Sequence, residues 1–418
     1  MTTWTEVGPV PRRVGPLGLL GGATLVLVVL IFSQAWVFPL LGEKGDPSAS
    51  GLVRALFIPA YLGAAVMVVG APVRTLGAML RQPLLILLMG VVGASVFWSV
   101  EPDQTVRRVV ALYATTLGGV ALAVRCRWSE MAEILASAFA TLAVISLILP
   151  IMVPSIGIMH EIFPGAWRGP WVEKNQLGGI MGLGVCIFAA AALLNPSRAK
   201  IWCGFGLLAF ALILMSTSKT SLVAVLLGLG ALTFVVLVRQ GPVMGIATTW
   251  LAVLAIMMIG GFAFFASDVF LDLLGKDATL TGRTKIWAAI MRRIAERPWT
   301  GYGYGAVWDE KGAWGPLAWI VKDAGFKPQH AHNTWLEQWL GLGLVGLGAF
   351  GLMYAQAMFS ALLAVYRHKG AYLALPFLVV YSLMSLTESV AVTYNDFRWV
   401  IFTAIAVKLA WPDSKLEA

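Results

Sequence analysis

Two of the chain's four histidines fall within three residues, in Pro328-Gln329-His330-Ala331-His332-Asn333-Thr334-Trp335. A neutral imidazole is the natural proton acceptor near pH 7, so this pair suits a general base. Two other readings stay open. A histidine or Asn333 can cap the apolar helix that follows. A His-x-His pair can also grip a metal, although the neighbouring sequence offers no third ligand.

Cations stand in three further segments. Arg168 and Lys174 lie in Trp167-Arg168-Gly169-Pro170-Trp171-Val172-Glu173-Lys174-Asn175-Gln176, where they either hold a ligand or snorkel to headgroups. Lys219 lies in Ser216-Thr217-Ser218-Lys219-Thr220-Ser221, a whole turn between two apolar runs. An ionisable group at membrane depth is costly and suggests function, against the plainer reading of a hairpin turn with a snorkelling lysine. Arg283 opens a segment to Arg297 in which Ile286, Ile290 and Ile294 recur every fourth residue, and Pro298 follows. That spacing predicts an amphipathic helix, lying at the membrane interface or packed on a helix bundle. Glu388, near the outer end of an apolar run, needs a cationic partner. Arginine and lysine stabilise phosphate oxygens, and a histidine beside them can deprotonate a hydroxyl. Together these groups suit transfer from a lipid pyrophosphate to an acceptor. Glu101-Pro102-Asp103 is either an acidic pair for metal or acceptor binding or a helix start capped by Ser99 or Asp103.

These groups are set in a very apolar chain. Of 418 residues 59% are hydrophobic and 12% charged, about half the usual charged share of ~25%, and the mean hydropathy is +0.82. That excludes a soluble globular domain, a disordered chain and a disulfide scaffold. The net charge of +9 is met by the loop bias of membrane proteins rather than by nucleic acid. Cys126, Cys186 and Cys203 make no metal spacing and read as packing residues. The expectation is an all-α integral membrane protein with about twelve transmembrane helices. The apolar runs lie near 16–41, 52–70, 83–99, 106–124, 131–153, 176–194, 201–217, 220–238, 244–267, 334–366, 371–389 and 396–411. The first run follows Arg12 and Arg13 and reads as a retained helix rather than a cleaved leader.

Charge then sets orientation. Arg74, Arg81, Arg125, Arg127, Arg198, Lys200, Arg239, Arg367 and Lys369 fall in alternate connections, and Glu43, Lys44, Asp46, Glu101, Asp103, Glu161 and Glu173 in the others. The positive-inside rule places both termini in the cytoplasm. Residues 1–267 then carry nine helices and an outer loop at 154–175. Residues 268–333 form a large outer loop, far longer than an ordinary connection. Residues 334–418 carry three helices and a cytoplasmic tail. Gly341-Leu342-Gly343-Leu344-Val345-Gly346 matches a dinucleotide fingerprint literally but lies within an apolar helix, where small residues serve close packing. Gly301-Tyr302-Gly303-Tyr304-Gly305 reads as a flexible aromatic turn, and no internal repeat is visible.

The ordered set resembles the O-antigen ligase and Wzy-type polymerase superfamily. It comprises Gly169-x-Trp171-x-Glu173-Lys174-Asn175-Gln176-Leu177-Gly178, the Ser216 to Thr220 turn, Gly282-Arg283 to Trp287 with Pro298 and the Gly301–Gly305 glycines, and His330-Ala331-His332-Asn333 with Gly341 to Gly346. The resemblance covers about 160–400 and looks most like the exopolysaccharide polymerase branch. It implies glycosyl transfer without a metal or cofactor, on the periplasmic face of a bacterial inner membrane. The donor it implies is an undecaprenyl-pyrophosphate-linked glycan, the acceptor a glycan or lipid A core. Membrane lipid is the surrounding partner, a chain-length regulator is a further one this branch allows, and nucleic acid is not a partner. It implies His332 as catalytic base with His330 second, and Arg283 on the donor pyrophosphate. Lys219, Arg168 and Lys174 complete the phosphate site with Asn175 and Glu388 beside them, and Asn333 orients His332. Lys219 stands where the family more often has arginine, keeping the charge but losing the bidentate fork. A ligase acting on lipid A core or protein shares this donor and chemistry. A lipid-linked oligosaccharide transporter would instead place charges along a central path.

Overall fold

The computed structural model describes residues 16–42, 51–161, 163–265, 283–309, 312 and 314–413. Arg12, Arg13, Glu43, Lys44, Asp46, Gly282, the start of the large loop and the end of the tail lie outside the described residues.

Among the described residues the chain is all-α, apart from one isolated antiparallel bridge between Ile158 and Trp167. The helices are α1 (Pro16–Phe32), α2 (Val37–Leu41), α3 (Gly51–Leu56), α4 (Ile58–Val69), α5 (Pro72–Leu80), α6 (Pro83–Ala94), α7 (Pro102–Arg125), α8 (Trp128–Met152), α9 (Pro154–Gly157), α10 (Lys174–Leu194), α11 (Ala199–Ser216), α12 (Lys219–Val238), α13 (Pro242–Phe265), α14 (Arg283–Glu296), α15 (Pro316–Ala324), α16 (Thr334–Arg367), α17 (Ala371–Thr387) and α18 (Phe397–Ala410). Each expected apolar run falls on one helix or on a broken pair.

Among the described residues seven helical stretches, one of them α3 with α4 as Gly51–Val69, are long and apolar enough to cross a bilayer, or eight when the pair Pro72–Leu80 and Pro83–Trp98, bent by 90°, is taken as one span. Three shorter apolar helices accompany them: Gly18–Phe32, Pro242–Met258 and Ala371–Thr387. The protein is therefore an all-α, multi-pass membrane protein. The difference from a count of twelve runs has local causes. α18 is 14 residues long and carries Arg398 and Lys408, and α1 stops at Phe32 because Gln34 takes a left-handed φ of 57°.

α10 lies at the centre, 78% of its apolar window buried. Gly178, Gly179, Gly182 and Gly184 let α8, α11, α12 and α17 approach it closely. A Cβ on Gly178 would lie within 3 Å of Ser216, Ser218 and Ser221, so this glycine seats the serine-rich turn against α10. α13 packs on α12 and leaves Leu251, Ile256, Met257 and Met258 exposed, the surface a bilayer would cover.

Residues 283–333 build a second, smaller core. Ile286, Ala289, Ile290 and Ile294 of α14 pack with Tyr302, Val307, Leu317, Ile320, Ala324 and Leu340. The isoleucine stripe is thus packed on protein, and the basic side of α14 pairs outward, Arg292 with Asp323 at 3.2 Å. The two glycine segments dock on each other. Gly343 breaks α16 with a φ of 66°, and a Cβ there would fall 2.2 Å from the Trp299 carbonyl. Leu344 N–H donates to Pro298 O at 2.8 Å, and Gly303 N–H to Gly341 O at 2.9 Å. Packing explains both motifs, with the refinement that Gly343 sits at a break in its helix.

Candidate active site

His332 is positioned by its own backbone. It adopts a left-handed φ of 50°, a region that histidine tolerates better than most residues but at a cost of about 1–2 kcal/mol. One residue on, Asn333 is the N-cap of α16, its side-chain oxygen accepting from Trp335 N–H at 2.9 Å and Leu336 N–H at 3.1 Å. The cap reading therefore holds for Asn333. Its amide nitrogen donates to Leu386 O at 3.3 Å, so its contacts are with backbone.

The group that meets His332 is Glu388, which follows α17. His332 Nδ1 lies 3.0 Å from Glu388 Oε2, and the carboxylate makes Nδ1 the donor. Nε2 is left as the nitrogen able to take a proton. Glu388 Oε1 accepts from Arg283 at 2.9 Å, and Arg283 also donates to Thr387 O at 2.6 Å. Arg283 is thus the cationic partner that Glu388 needed. Burial alone would raise the Glu388 carboxyl, but the His332 hydrogen bond and the Arg283 charge outweigh it and hold the group at about 2. Glu388 is accordingly a carboxylate at any physiological pH. The His330 ring lies beside that of His332, centroids 3.9 Å apart and tilted by 50°, and burial followed by the neighbouring imidazole pushes its pKa down.

Two side chains of α16 tie the histidine turn to the Glu388 segment. Glu337 accepts from Ala331 N–H at 2.9 Å and from Ser389 Oγ at 3.1 Å, and also from the Trp308 indole. Thr334 Oγ1 donates to Glu388 O at 3.0 Å and accepts from Val390 N–H at 3.0 Å. Fixing both segments to one helix end holds His332 and Glu388 in register, and Trp287 Nε1 of α14 adds a bond to Ala331 O at 2.9 Å.

Two cavities meet at Glu388. The larger, about 480 Å³, is lined by Gln34, Phe38, Trp171, Glu173, Asn175, Lys327, His330, His332, Glu388 and Arg398 among others. The smaller, about 110 Å³, is lined by Asn175, Ser218, Thr220, Ser221, Arg283 and Glu388 among others. The structure therefore brings His332, His330, Arg283, Glu388 and Asn175 together. The remaining expected cations stand elsewhere. Arg168 is buried, donating to Ile156 O at 2.8 Å and Ser155 O at 3.2 Å, and lies over the Phe38 ring, where it clamps the 154–175 loop. Lys174 donates to Thr217 Oγ1 at 3.0 Å and sits over Phe163. Lys219 is exposed at the head of α12, and neither lysine lines the cavities. The hydroxyls of Ser218, Thr220 and Ser221 line the smaller one instead. At 101–103 the N-cap of α7 is Glu101, with no side-chain cap hydrogen bond, so neither Ser99 nor Asp103 caps the helix; Ser99 Oγ accepts from Glu101 N–H at 3.1 Å just ahead of it.

His330, His332 and Glu388 each offer a ligand atom, and these atoms lie within 4.8 Å of one another. The third metal ligand that the local sequence lacked is supplied by a residue 56 positions away. Sequence reasoning also passed over Arg398, which lines the larger cavity and grips buried Asp396 through the Nε and Nη2 edge of its guanidinium. Two charges opening an apolar run were the available signal. The same signal, a charge near the start of the 334–366 apolar run, was available for Glu337, whereas nothing in the sequence marked out Gln34.

Comparison with known proteins finds two sequence similarities. Residues 204–351 match the Wzy_C family model, described as O-antigen ligase; the matched segment contains Arg283, His330 and His332. The chain is also 33% identical over 210 residues to the exopolysaccharide production protein ExoQ of Rhizobium meliloti (strain 1021), a stretch covering 46% of each chain. The match thus spans about half the length of that relative. The resemblance to the O-antigen ligase and Wzy-type superfamily, and to its exopolysaccharide branch, is borne out.

Proposed function

We propose that this protein is a membrane glycosyltransferase that moves a glycan from an undecaprenyl-pyrophosphate-linked donor to an acceptor sugar hydroxyl at the periplasmic face of a bacterial inner membrane, its termini in the cytoplasm, extending exopolysaccharide repeat units. The observation that carries this is the His332–Glu388–Arg283 chain, with His332 and Glu388 on the wall of the larger cavity and Arg283 on that of the smaller. Glu388 holds the Nδ1–H tautomer and balances the imidazolium that forms, as a buried carboxylate does for a catalytic histidine. Nε2 takes the proton from the acceptor hydroxyl. The acceptor oxygen bonds to the anomeric carbon as the bond to the phosphate oxygen breaks, with inversion, and the lipid pyrophosphate leaves. The donors of Arg283 not engaged by Glu388 and Thr387, with the hydroxyls of Ser218, Thr220 and Ser221, are suited to its phosphate oxygens. General-base action of this kind contributes typically 10²–10⁴ in rate. The reading needs no metal, and a chain-length regulator is a compatible partner. ExoQ, by its name, serves exopolysaccharide production, which favours polymerisation.

A ligase that passes a finished glycan to lipid A core or protein is the second reading, favoured by the description of the matching family model. Purified protein given a lipid-pyrophosphate repeat unit, with and without chelator, tests both. Polymerisation predicts a ladder of elongated lipid-linked products that chelator leaves unchanged. Elongation lost on chelation overturns metal independence. A deletion strain that keeps long lipid-linked chains but fails to attach them identifies the ligase.

A further inference from the structure

We propose that His330, His332 and Glu388 form a zinc-class metal site, and that an ion bound there switches the site off. A tetrahedral ion with bonds of about 2.0–2.2 Å needs ligand atoms about 3.3–3.5 Å apart. His332 Nδ1 stands 3.0 Å and His330 Nε2 3.8 Å from Glu388 Oε2, and no ligand pair exceeds 4.8 Å. The two distances to Glu388 bracket the required spacing before any movement. The ligands are also built in, because Glu337 and Thr334 hold the two ligand-bearing segments on one helix end. Two imidazoles with one carboxylate select zinc, cobalt, nickel or copper over magnesium and calcium. Three protein ligands leave a fourth position for water or substrate.

The same geometry makes the site exchangeable. Arg283 occupies Oε1 and brings a positive charge 2.9 Å from the carboxylate, so an incoming cation meets a neutral cluster. His330 Nδ1 is buried without a hydrogen-bond partner among the described residues. A missing partner on a ligating histidine typically costs 10–100-fold in metal affinity. The ion is therefore a reversible occupant that responds to its free concentration.

Switching off follows from the tautomer, and this part rests on His332 being the base. A metal on Nδ1 takes the position of the proton now shared with Glu388. That proton moves to Nε2, which then lacks the lone pair needed to accept hydrogen from the acceptor hydroxyl. Donor transfer and metal occupancy exclude each other.

The test uses the full-length protein in nanodiscs and reads the metal without turnover. Cobalt(II) titration should give one equivalent of intense, tetrahedral visible absorption, displaced by zinc and untouched by millimolar magnesium. His330→Ala should weaken cobalt binding at least tenfold, and Glu388→Gln should remove the band. Zinc should raise the melting temperature of the parent protein, raise that of His330→Ala less at the same concentration and leave Glu388→Gln unmoved, which separates loss of the site from loss of the fold. Zinc should then inhibit transfer from a lipid-pyrophosphate donor, reversibly on chelation. A parent protein without the band, or a band unchanged in both variants, overturns the metal site. A full band with transfer unimpaired by zinc overturns the switch. A protein that shows the band yet transfers nothing from the donor fails the proposed function while supporting the metal site.

Discussion

At the end of the bundle that carries His332, connections at 153–173, 297–333 and 388–396 lie between the bundle helices, the first two carrying the short helices α9 and α15. At the opposite end the turns at 126–127, 195–198, 239–241 and 368–370 reverse the chain within a few residues. The far end is built of inexpensive parts. Arg125 donates to Gly70 O at 3.0 Å and Arg239 to Val365 O at 3.1 Å, so arginines close helix ends. The Arg198–Glu133 pair at 3.2 Å is largely exposed. The site end holds every described non-glycine residue with a left-handed φ: Gln34, Thr217, His332, Val392 and Asn395. These conformations cost of order 1–3 kcal/mol each and persist only where neighbours over-determine them. Here the neighbours are visible. Gln34 donates to Asn395 O at 2.8 Å, Asn395 N–H to Thr115 Oγ1 at 2.8 Å, and Tyr304 Oη to Val392 O at 2.8 Å. The contrast teaches that the strain is confined to the segments that aim polar groups into the cavities.

Substitutions can break that contrast. The largest effect belongs to His332→Asn. Asparagine accepts a left-handed φ, so the fold should melt within a few degrees of the parent while transfer falls 10²–10⁴-fold. A variant that unfolds, or one that keeps full transfer, would show that the imidazole is structural. Arg283→Ala should lower transfer about 10²-fold. It should also destabilise by about 1–3 kcal/mol, because Glu388 loses its charged partner; a melting shift with an unchanged rate per folded molecule would make the arginine purely structural. Glu337→Ala should act through position alone. The turn at Ala331 is released, transfer falls about tenfold, and the pattern of products stays the same; an unaltered rate would show that the turn needs no such tether. The smallest effect is Arg198→Ala at the far end, within about 0.5 kcal/mol and without change in transfer. Should this variant cost as much as Glu337→Ala, the two ends do not differ as described.

The sequence by itself determined the class of fold, because each apolar run must be a helix in a solvent that cannot satisfy backbone groups. It also marked His330, His332, Arg283 and Glu388, since charges and imidazoles stand out against so apolar a chain. The tertiary structure alone decided which of the marked groups meet. Glu388 reaches His332 and Arg283 from a distant helix end, whereas Arg168 turns inward to backbone carbonyls and Lys219 outward. Spacing along a helix or turn fixes only neighbours within a few residues. The pairing of Gly301–Gly305 with Gly341–Gly343, and the tethers from Glu337 and Thr334, join segments that no local rule relates. They depend on how whole helices pack.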